Sequence, residues 1–303
     1  MYTRMLIPLD GSKTAENVLP YTRALAGKLK VPVELIGVID IGEMATHISA
    51  EKAPHLDTMI EDGVRSSEGY LNEIAKTFPA GNVKCTVEKG RPEEVIIEKT
   101  AMDKGTLITM ATHGRSGIDR WLLGSVAEKV LRGTTNPLLL IRATEEAKGE
   151  GEATLKSVIV PLDGSELAES VLPAVVEMAT KLNLEIVLFR AYNIPYSAYG
   201  DGGGDGYYAV DFNELIGAMK DEAQKYLEKK TVELKKLGVE KVSLVTKEGM
   251  SADQIIRFGR ETPDNLIAMC SHGRSGVKRW VLGSITETVV RHSGDPVLVI
   301  RGH

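Results

Sequence analysis

Two periods recur in the apolar and polar positions of this chain. Residues 4–9 form a short apolar run of strand length, and 33–39, 83–88, 106–111 and 137–142 also read as strands. Between them, residues 13–30 have helical spacing, with Val18, Leu19, Ala24, Leu25, Ala26 and Leu29 on the apolar side. Helices are also predicted near 57–77, 92–103 and 124–132, with a loop after residue 39. Pro20 falls inside the first helix, as Pro173 does in a later stretch of the same pattern. An interior proline costs roughly 3 kcal/mol and kinks a helix, so a bend is expected. Strands alternating with helices, with apolar strand interiors, predict a parallel sheet covered on both faces. Right-handed crossovers make it doubly wound.

The pattern occurs twice. Residues 5–12 read MLIPLDGS and 158–165 read VIVPLDGS; 112–125 read THGRSGIDRWLLGS and 271–284 read SHGRSGVKRWVLGS. The halves close on NPLLLIR at 136–142 and DPVLVIR at 295–301. The blocks keep their order, and their offset grows from 153 to 159 residues, which requires an insertion in the second half. Two α/β domains are therefore expected, at 1–143 and 155–303, each with a five-stranded parallel sheet. The polar, Gly-containing run at 144–154 reads as a linker.

Composition narrows the function classes. The 303 residues carry a formal net charge of −5, which favours neither nucleic acid nor an anionic membrane as partner. No apolar run reaches the roughly 18–20 residues of a membrane span. The opening Met-Tyr-Thr-Arg-Met lacks the apolar segment of a secretory leader. Two cysteines, Cys85 and Cys270, make no disulfide framework, and a cytoplasmic location is expected. The six histidines and two cysteines form no metal-ligand spacing.

Ligands of doubly wound sheets bind beyond the carboxyl ends of the strands, where strand order reverses. Three loops there carry candidate chemistry. The first is Asp10-Gly11-Ser12, repeated as Asp163-Gly164-Ser165. Gly11 and Ser12 can serve as a turn and a helix cap, while the carboxylate of Asp10 or Asp163 can accept bonds from a ribose or an adenine amine. The second runs Ala111-Thr112-His113-Gly114, nine residues, then Gly124-Ser125; its copy runs Cys270-Ser271-His272-Gly273, nine residues, then Gly283-Ser284. Glycine lets a backbone approach a phosphate, and a helix N-terminus offers free amides to an anion. Arg115, with Arg274 in the copy, adds positive charge. The competing reading makes Ser125 a plain N-cap. In the third loop, Gly90 and Gly249 either clear space for a ribose or form an ordinary turn.

At these residues the chain resembles the universal stress protein family, over nearly all of both halves. Its ATP-binding members carry the motif G-x2-G-x9-G-(S/T), matched at Gly114, Gly124 and Ser125 and again at Gly273, Gly283 and Ser284. The resemblance implies an adenine nucleotide alpha hydrolase-like, Rossmann-like fold. It implies adenine contacts at Asp10 and Asp163, and an adenine pocket lined by Val38 and Ala191. It also implies ATP with a divalent cation, Mg2+, at the phosphates, and signalling by binding with weak hydrolysis at best. The chain departs from the motif at its first glycine, which is Ala111 in one half and Cys270 in the other. The added thiol is expected to crowd the phosphate approach in the second half.

Other features leave alternatives open. His113 and His272 fit structural roles, with no nucleophile and partner carboxylate at readable spacing. Trp121 and Trp280 fit either the core or an interface. In the family the closing strand commonly pairs across a dimer; here the two halves can pair in that way within one chain, or a homodimer can form. The insertion near 193–212, with Tyr192, Tyr196, Tyr199, Tyr207, Tyr208 and the Gly200–Gly206 run, reads as a lid or as a disordered loop. An adenylate-forming ligase would show HIGH, KMSKS or SGGxDS-like sequences, and none occurs. A partner-binding module without nucleotide affinity is the remaining alternative.

Overall fold

A computed structural model of the chain describes residues 2–47, 55–79, 83–113, 123–142, 151–193, 212–271 and 282–302. The first half contributes strands β1 (Arg4–Pro8), β2 (Val33–Ile39), β3 (Val83–Lys89), β4 (Thr106–Ala111) and β5 (Leu138–Ile141). The second contributes β6 (Ser157–Pro161), β7 (Glu185–Tyr192), β8 (Val242–Glu248), β9 (Asn265–Cys270) and β10 (Val297–Ile300). Each set is all-parallel, and one sheet runs through both in the order β3-β2-β1-β4-β5-β10-β9-β6-β7-β8. The expected pair of five-stranded sheets is thus joined edge to edge. The join is antiparallel, with Leu138, Leu139 and Leu140 opposite Val299, Leu298 and Val297.

The helices are α1 (Leu19–Leu29), α2 (Ile41–His47), α3 (Leu56–Ala75), α4 (Pro92–Ala101), α5 (Ser125–Gly133), α6 (Glu166–Glu169), α7 (Leu172–Leu182), α8 (Phe212–Lys236), α9 (Ser251–Glu261) and α10 (Ser284–His292). Two differ from expectation. The predicted bent helix over 13–30 is a 3-10 turn at Ala15–Val18 followed by α1, which puts Pro20 at the second helical position. Pro173 sits likewise at the start of α7. A proline there gives up an amide that has no helical acceptor, so it starts a helix instead of kinking one. The expected loop after β2 contains α2, which Asp40 starts by accepting the Glu43 amide at 2.9 Å. So short a helix lies below the span where periodicity is informative.

Strand alternation divides the core. Met5 and Ile7 of β1 join one buried cluster with residues of α1, α3, α7 and α8; Leu6 joins the other with α4, α5, α9 and α10. On that second side the halves have solved one position differently. In the first half, buried Glu34 accepts from Arg4 Nη1 at 2.6 Å and from the Thr86 hydroxyl at 2.9 Å, and Lys99 Nζ lies 3.3 Å away. The strand registers and the repeat put Ser157, Val187, Val245 and Phe258 at the corresponding places. There an apolar patch replaces the charges, with Phe258 stacked on Phe189 at 5.3 Å between centroids.

This natural replacement generates two predictions. Burial alone would raise the Glu34 carboxyl, but the Thr86 hydrogen bond and the charges of Lys99 and Lys84 outweigh it and hold Glu34 below the usual carboxylate range. Its stabilising contribution is therefore full at neutral pH and lost as pH falls through its lowered pKa, beneath the ordinary value of about 4.3. Glu34→Gln should cost about 1–3 kcal/mol at pH 7 in urea unfolding, with the deficit shrinking below about pH 4. Removing one partner strands the others, whereas replacing a whole buried ion cluster with packed apolar groups is often neutral. The fourfold exchange Arg4→Ser, Glu34→Val, Thr86→Val and Lys99→Phe should therefore cost less than Glu34→Gln alone.

Candidate functional site

Strand order reverses between β1 and β4 in the first half and between β6 and β9 in the second, so a crevice is expected at their carboxyl ends. Asp10 lies just past β1 and is half-buried. Its Oδ1 accepts the Ser12 amide at 2.9 Å and the Ser12 hydroxyl at 2.5 Å, while Ser12 Oγ accepts the Ala15 amide at 3.1 Å. The second copy repeats this: Asp163 Oδ1 accepts the Ser165 amide at 2.9 Å and hydroxyl at 2.6 Å, and Ser165 Oγ accepts the Ala168 amide at 3.1 Å. Gly11 and Gly164 have φ of +82° and +89°, a region open to glycine at little cost. Turn and cap roles thus account for Gly11, Ser12, Gly164 and Ser165. Both aspartates follow a strand that flanks a switch point, and Oδ1 of each is engaged in the turn.

On the other side, Ala111 ends β4, and Thr112 donates its amide to Ile141 at 2.8 Å. The chain returns through Gly124, whose amide donates to the Thr112 carbonyl at 2.7 Å. A Cβ on Gly124 would lie 3.0 Å from that oxygen and 3.4 Å from the His113 Cα. Close backbone approach favours glycine here, since a side chain would have to push the strand end back. Gly124 is also the N-cap of α5, and Ser125 is the first helical residue. The reading of Ser125 as N-cap is therefore corrected: the cap position has no side chain to accept the first-turn amides, and exposed Ser125 stands beside them. Gly283 likewise caps α10, donates to the Ser271 carbonyl at 2.8 Å, and precedes exposed Ser284. Two helices of the same sheet thus begin at the switch points without a side-chain cap among the described residues, and a helix N-terminus is a place where amides and dipole favour an anion.

The expected crowding by Cys270 does not occur on this side. Alternation along β9 directs its side chain away from α10 and toward α6, where the Ser170 hydroxyl donates to Sγ at 3.6 Å. Ala111 faces the corresponding core. Val38 and Ala191 are half-buried near the ends of β2 and β7 and pack on the cluster that includes α5 and α10. Gly90 and Gly249 follow β3 and β8, and their amides donate to Ile39 at 3.0 Å and Tyr192 at 2.8 Å. His113 Nδ1 lies 3.2 Å from the Thr112 hydroxyl. Tyr192, expected in the insertion, ends β7 instead. Gly114, Arg115, Gly273, Arg274, His272, Trp121, Trp280 and the rest of the insertion's tyrosines lie outside the described residues.

Sequence reading missed one group beside Asp163. Arg190 of β7 is buried, its guanidinium 4.8 Å over the Tyr226 ring and 2.9 Å from Glu222. The Tyr226 hydroxyl donates to Glu169 at 2.8 Å. Burial first, and then the Glu169 hydrogen bond and charge, raise the Tyr226 phenol above its usual range, with Asp163 adding to the effect. The first half has a longer Tyr70–Glu16 contact of 3.4 Å and has Gly37 in the place of Arg190. An arginine inside the apolar run Val187–Tyr192 was the available signal. Among the described residues no group of three or more His, Cys, Asp or Glu could hold a metal ion, and no helix is long and apolar enough to cross a membrane.

The sheet, its switch points and the paired glycine-capped helices define a tandem nucleotide-fold α/β protein. The sequence profile of the universal stress protein family matches residues 1–142 and again 154–301, so the chain belongs to that family. Universal stress protein Rv2005c of Mycobacterium tuberculosis is 21% identical over 306 residues, covering 98% of this chain and 96% of its own. Universal stress protein MJ0531 of Methanocaldococcus jannaschii is 28% identical over 151 residues, covering 50% of this chain and 85% of its own. A crystal structure of a universal stress protein from Archaeoglobus fulgidus has a TM-score of 0.67 at 23% identity, covering 98% of both chains, which shows the shared fold.

The Gly124 contact can be tested without ligand. Gly124→Ala should destabilise the chain by about 1–3 kcal/mol, the usual cost of forced backbone movement. Gly69→Ala, with open space around its Cβ on α3, should stabilise it by about 0.5–1 kcal/mol. Urea unfolding of both variants checks the contrast.

Proposed function

We propose that this chain binds ATP in each half and acts in a stress response through ligand-dependent contacts, not turnover. One observation carries the reading. In both halves a helix capped only by glycine is pinned to the end of the strand beside the switch point, across from an aspartate turn. First-turn amides and the positive helix end suit phosphates, with Ser125 and Ser284 adding hydroxyl donors. Asp10 and Asp163 would accept from adenine or ribose, Val38 and Ala191 would face the base, and Gly90 and Gly249 would leave room for the sugar. Gly114, Arg115, Gly273 and Arg274 complete the proposed cradle, with His113 and the Ala111 strand end beneath it. The tight approach of Gly124 to the Thr112 carbonyl and the His113 Cα keeps the start of α5 close to the strand end, which fits a ligand held by backbone.

Mg2+ would enter with the triphosphate and be held mainly by phosphate oxygens, since the described residues supply no carboxylate cluster. No residue is assigned a catalytic role. Residues 1–143 and 155–303 would be the two binding units, joined by 144–154. The β5–β10 pairing occupies the edge through which separate copies would otherwise associate, so we assign that pairing to the two halves of one chain. A homodimer would need a different face. Free thiols at Cys85 and Cys270 suit a reducing cytoplasm.

Titration of the full chain with a fluorescent ATP analogue tests the reading. Saturable binding is expected, together with adenine nucleotide co-purifying with the protein. Asp10→Ala and Gly124→Val should each weaken the first site tenfold or more. Unchanged affinity in both variants would refute the site, and absence of any nucleotide affinity would favour a module that binds only a macromolecular partner.

A further inference from the structure

The two halves are tied together by contacts that run from each proposed site to the helix forming the other. Arg142 directly follows β5 at the ligand end of the first half, and its Nη1 donates to the Ser293 carbonyl at 3.1 Å, the C-cap of α10. Arg301 follows β10 at the ligand end of the second half, and its Nη2 donates to the Arg132 carbonyl at 2.7 Å, in the last turn of α5. Each arginine adjoins a strand end that receives the amide of a site loop: Thr112 to Ile141 and Ser271 to Ile300, both at 2.8 Å. Between the caps the two helices share a closed ring of charge. Arg132 lies 3.1 Å from Glu128 and 3.3 Å from Glu287; Arg291 lies 2.9 Å from Glu287 and 3.4 Å from Glu128. The two arginines and the four ring residues are related by the same 159-residue offset as the site motifs, while the capped carbonyls, Ser293 and Arg132, fall two positions apart in that frame.

We propose that the two nucleotide sites are linked with positive cooperativity through this crossed relay, an inference that rests on the ATP-binding reading. Each of α5 and α10 is held at three places: a phosphate at its amide end, the ring at its middle, and the other half's arginine at its carbonyl end. Anion at one end and cation at the other favour the same helix dipole. A ligand that fixes α5 also fixes the Arg132 carbonyl, hence Arg301 and the end of β10 beside Ser271. It fixes the ring, hence α10. The second ligand meets a site whose positioning has already been settled, which raises its affinity. A partly exposed ring of this kind contributes little to stability alone, so its reciprocal geometry is better accounted for as a connection between helices.

Calorimetric titration of the full chain with MgATP, alongside Arg142→Ala/Arg301→Ala and Glu128→Gln/Glu287→Gln chains, tests the linkage. In the native chain the second ATP should bind about fivefold more tightly than the first after statistical correction. Blocking the first site with Gly124→Val should remove that gain at the second. Both double variants should bind two ATP with one intrinsic affinity, and the ring variant keeps the test open if loss of the caps impairs folding. Two independent, equivalent sites in the native chain would overturn the linkage while leaving ATP binding intact. So would cooperativity undiminished in folded variants, or a single ATP per chain. No ATP binding at all would overturn the linkage together with the reading beneath it.

Discussion

The antiparallel pairing of β5 with β10 sets the arrangement of everything else. Each strand is only four residues long and buried throughout, and each would be an apolar sheet edge if left alone. Pairing them satisfies the backbone, makes one sheet of two, and sends the two sets of strand ends in opposite directions. It also forces the helices that follow β4 and β9 to lie side by side. Leu123, Leu131, Leu282 and Val290 are buried around that contact, with the charged ring among them.

Within each half, the same economy builds the site. A doubly wound sheet must open a crevice where strand order reverses. Gly124 and Gly283 stand within hydrogen-bond distance of the strand ends and cap α5 and α10 without a side chain, the arrangement on which the proposed site rests. By contrast, Ser165 caps α6 with its own hydroxyl, so the sequence does supply side-chain caps where a helix is to be closed. The halves diverge around this common frame. The first buries Glu34 among cations where the second packs Phe258, and the second places Arg190 over Tyr226 where the first has Gly37.

Local chemistry made much of this readable from the sequence. The Asp-Gly-Ser turns, the Gly-Ser pairs and the apolar strands are contiguous, and the repeat established them twice. What escaped reading depends on distance or on fine position. Pro20 changes meaning when a helix begins one residue before it, and α2 is too short to show a period. The Glu128–Arg132 and Glu287–Arg291 spacings are visible as i,i+4 pairs, but their cross-contacts exist only once β5 meets β10. Arg4, Glu34, Thr86 and Lys99 look like separate polar residues until three strands and a helix bring them together. The side to which Cys270 points required strand register, which is why its bulk was expected at the phosphates and found under α6.

In the proposed function, helix ends, not side-chain ligands alone, would hold the nucleotide. Backbone amide chemical shifts during titration of the labelled full chain with MgATP test it most directly. The largest changes should fall on Ser125 and Val126 and on Ser284 and Ile285, saturating together with those of Ser12 and Ser165. Those amides staying unmoved at saturating ATP, or responding less than residues at the opposite strand ends, would contradict it.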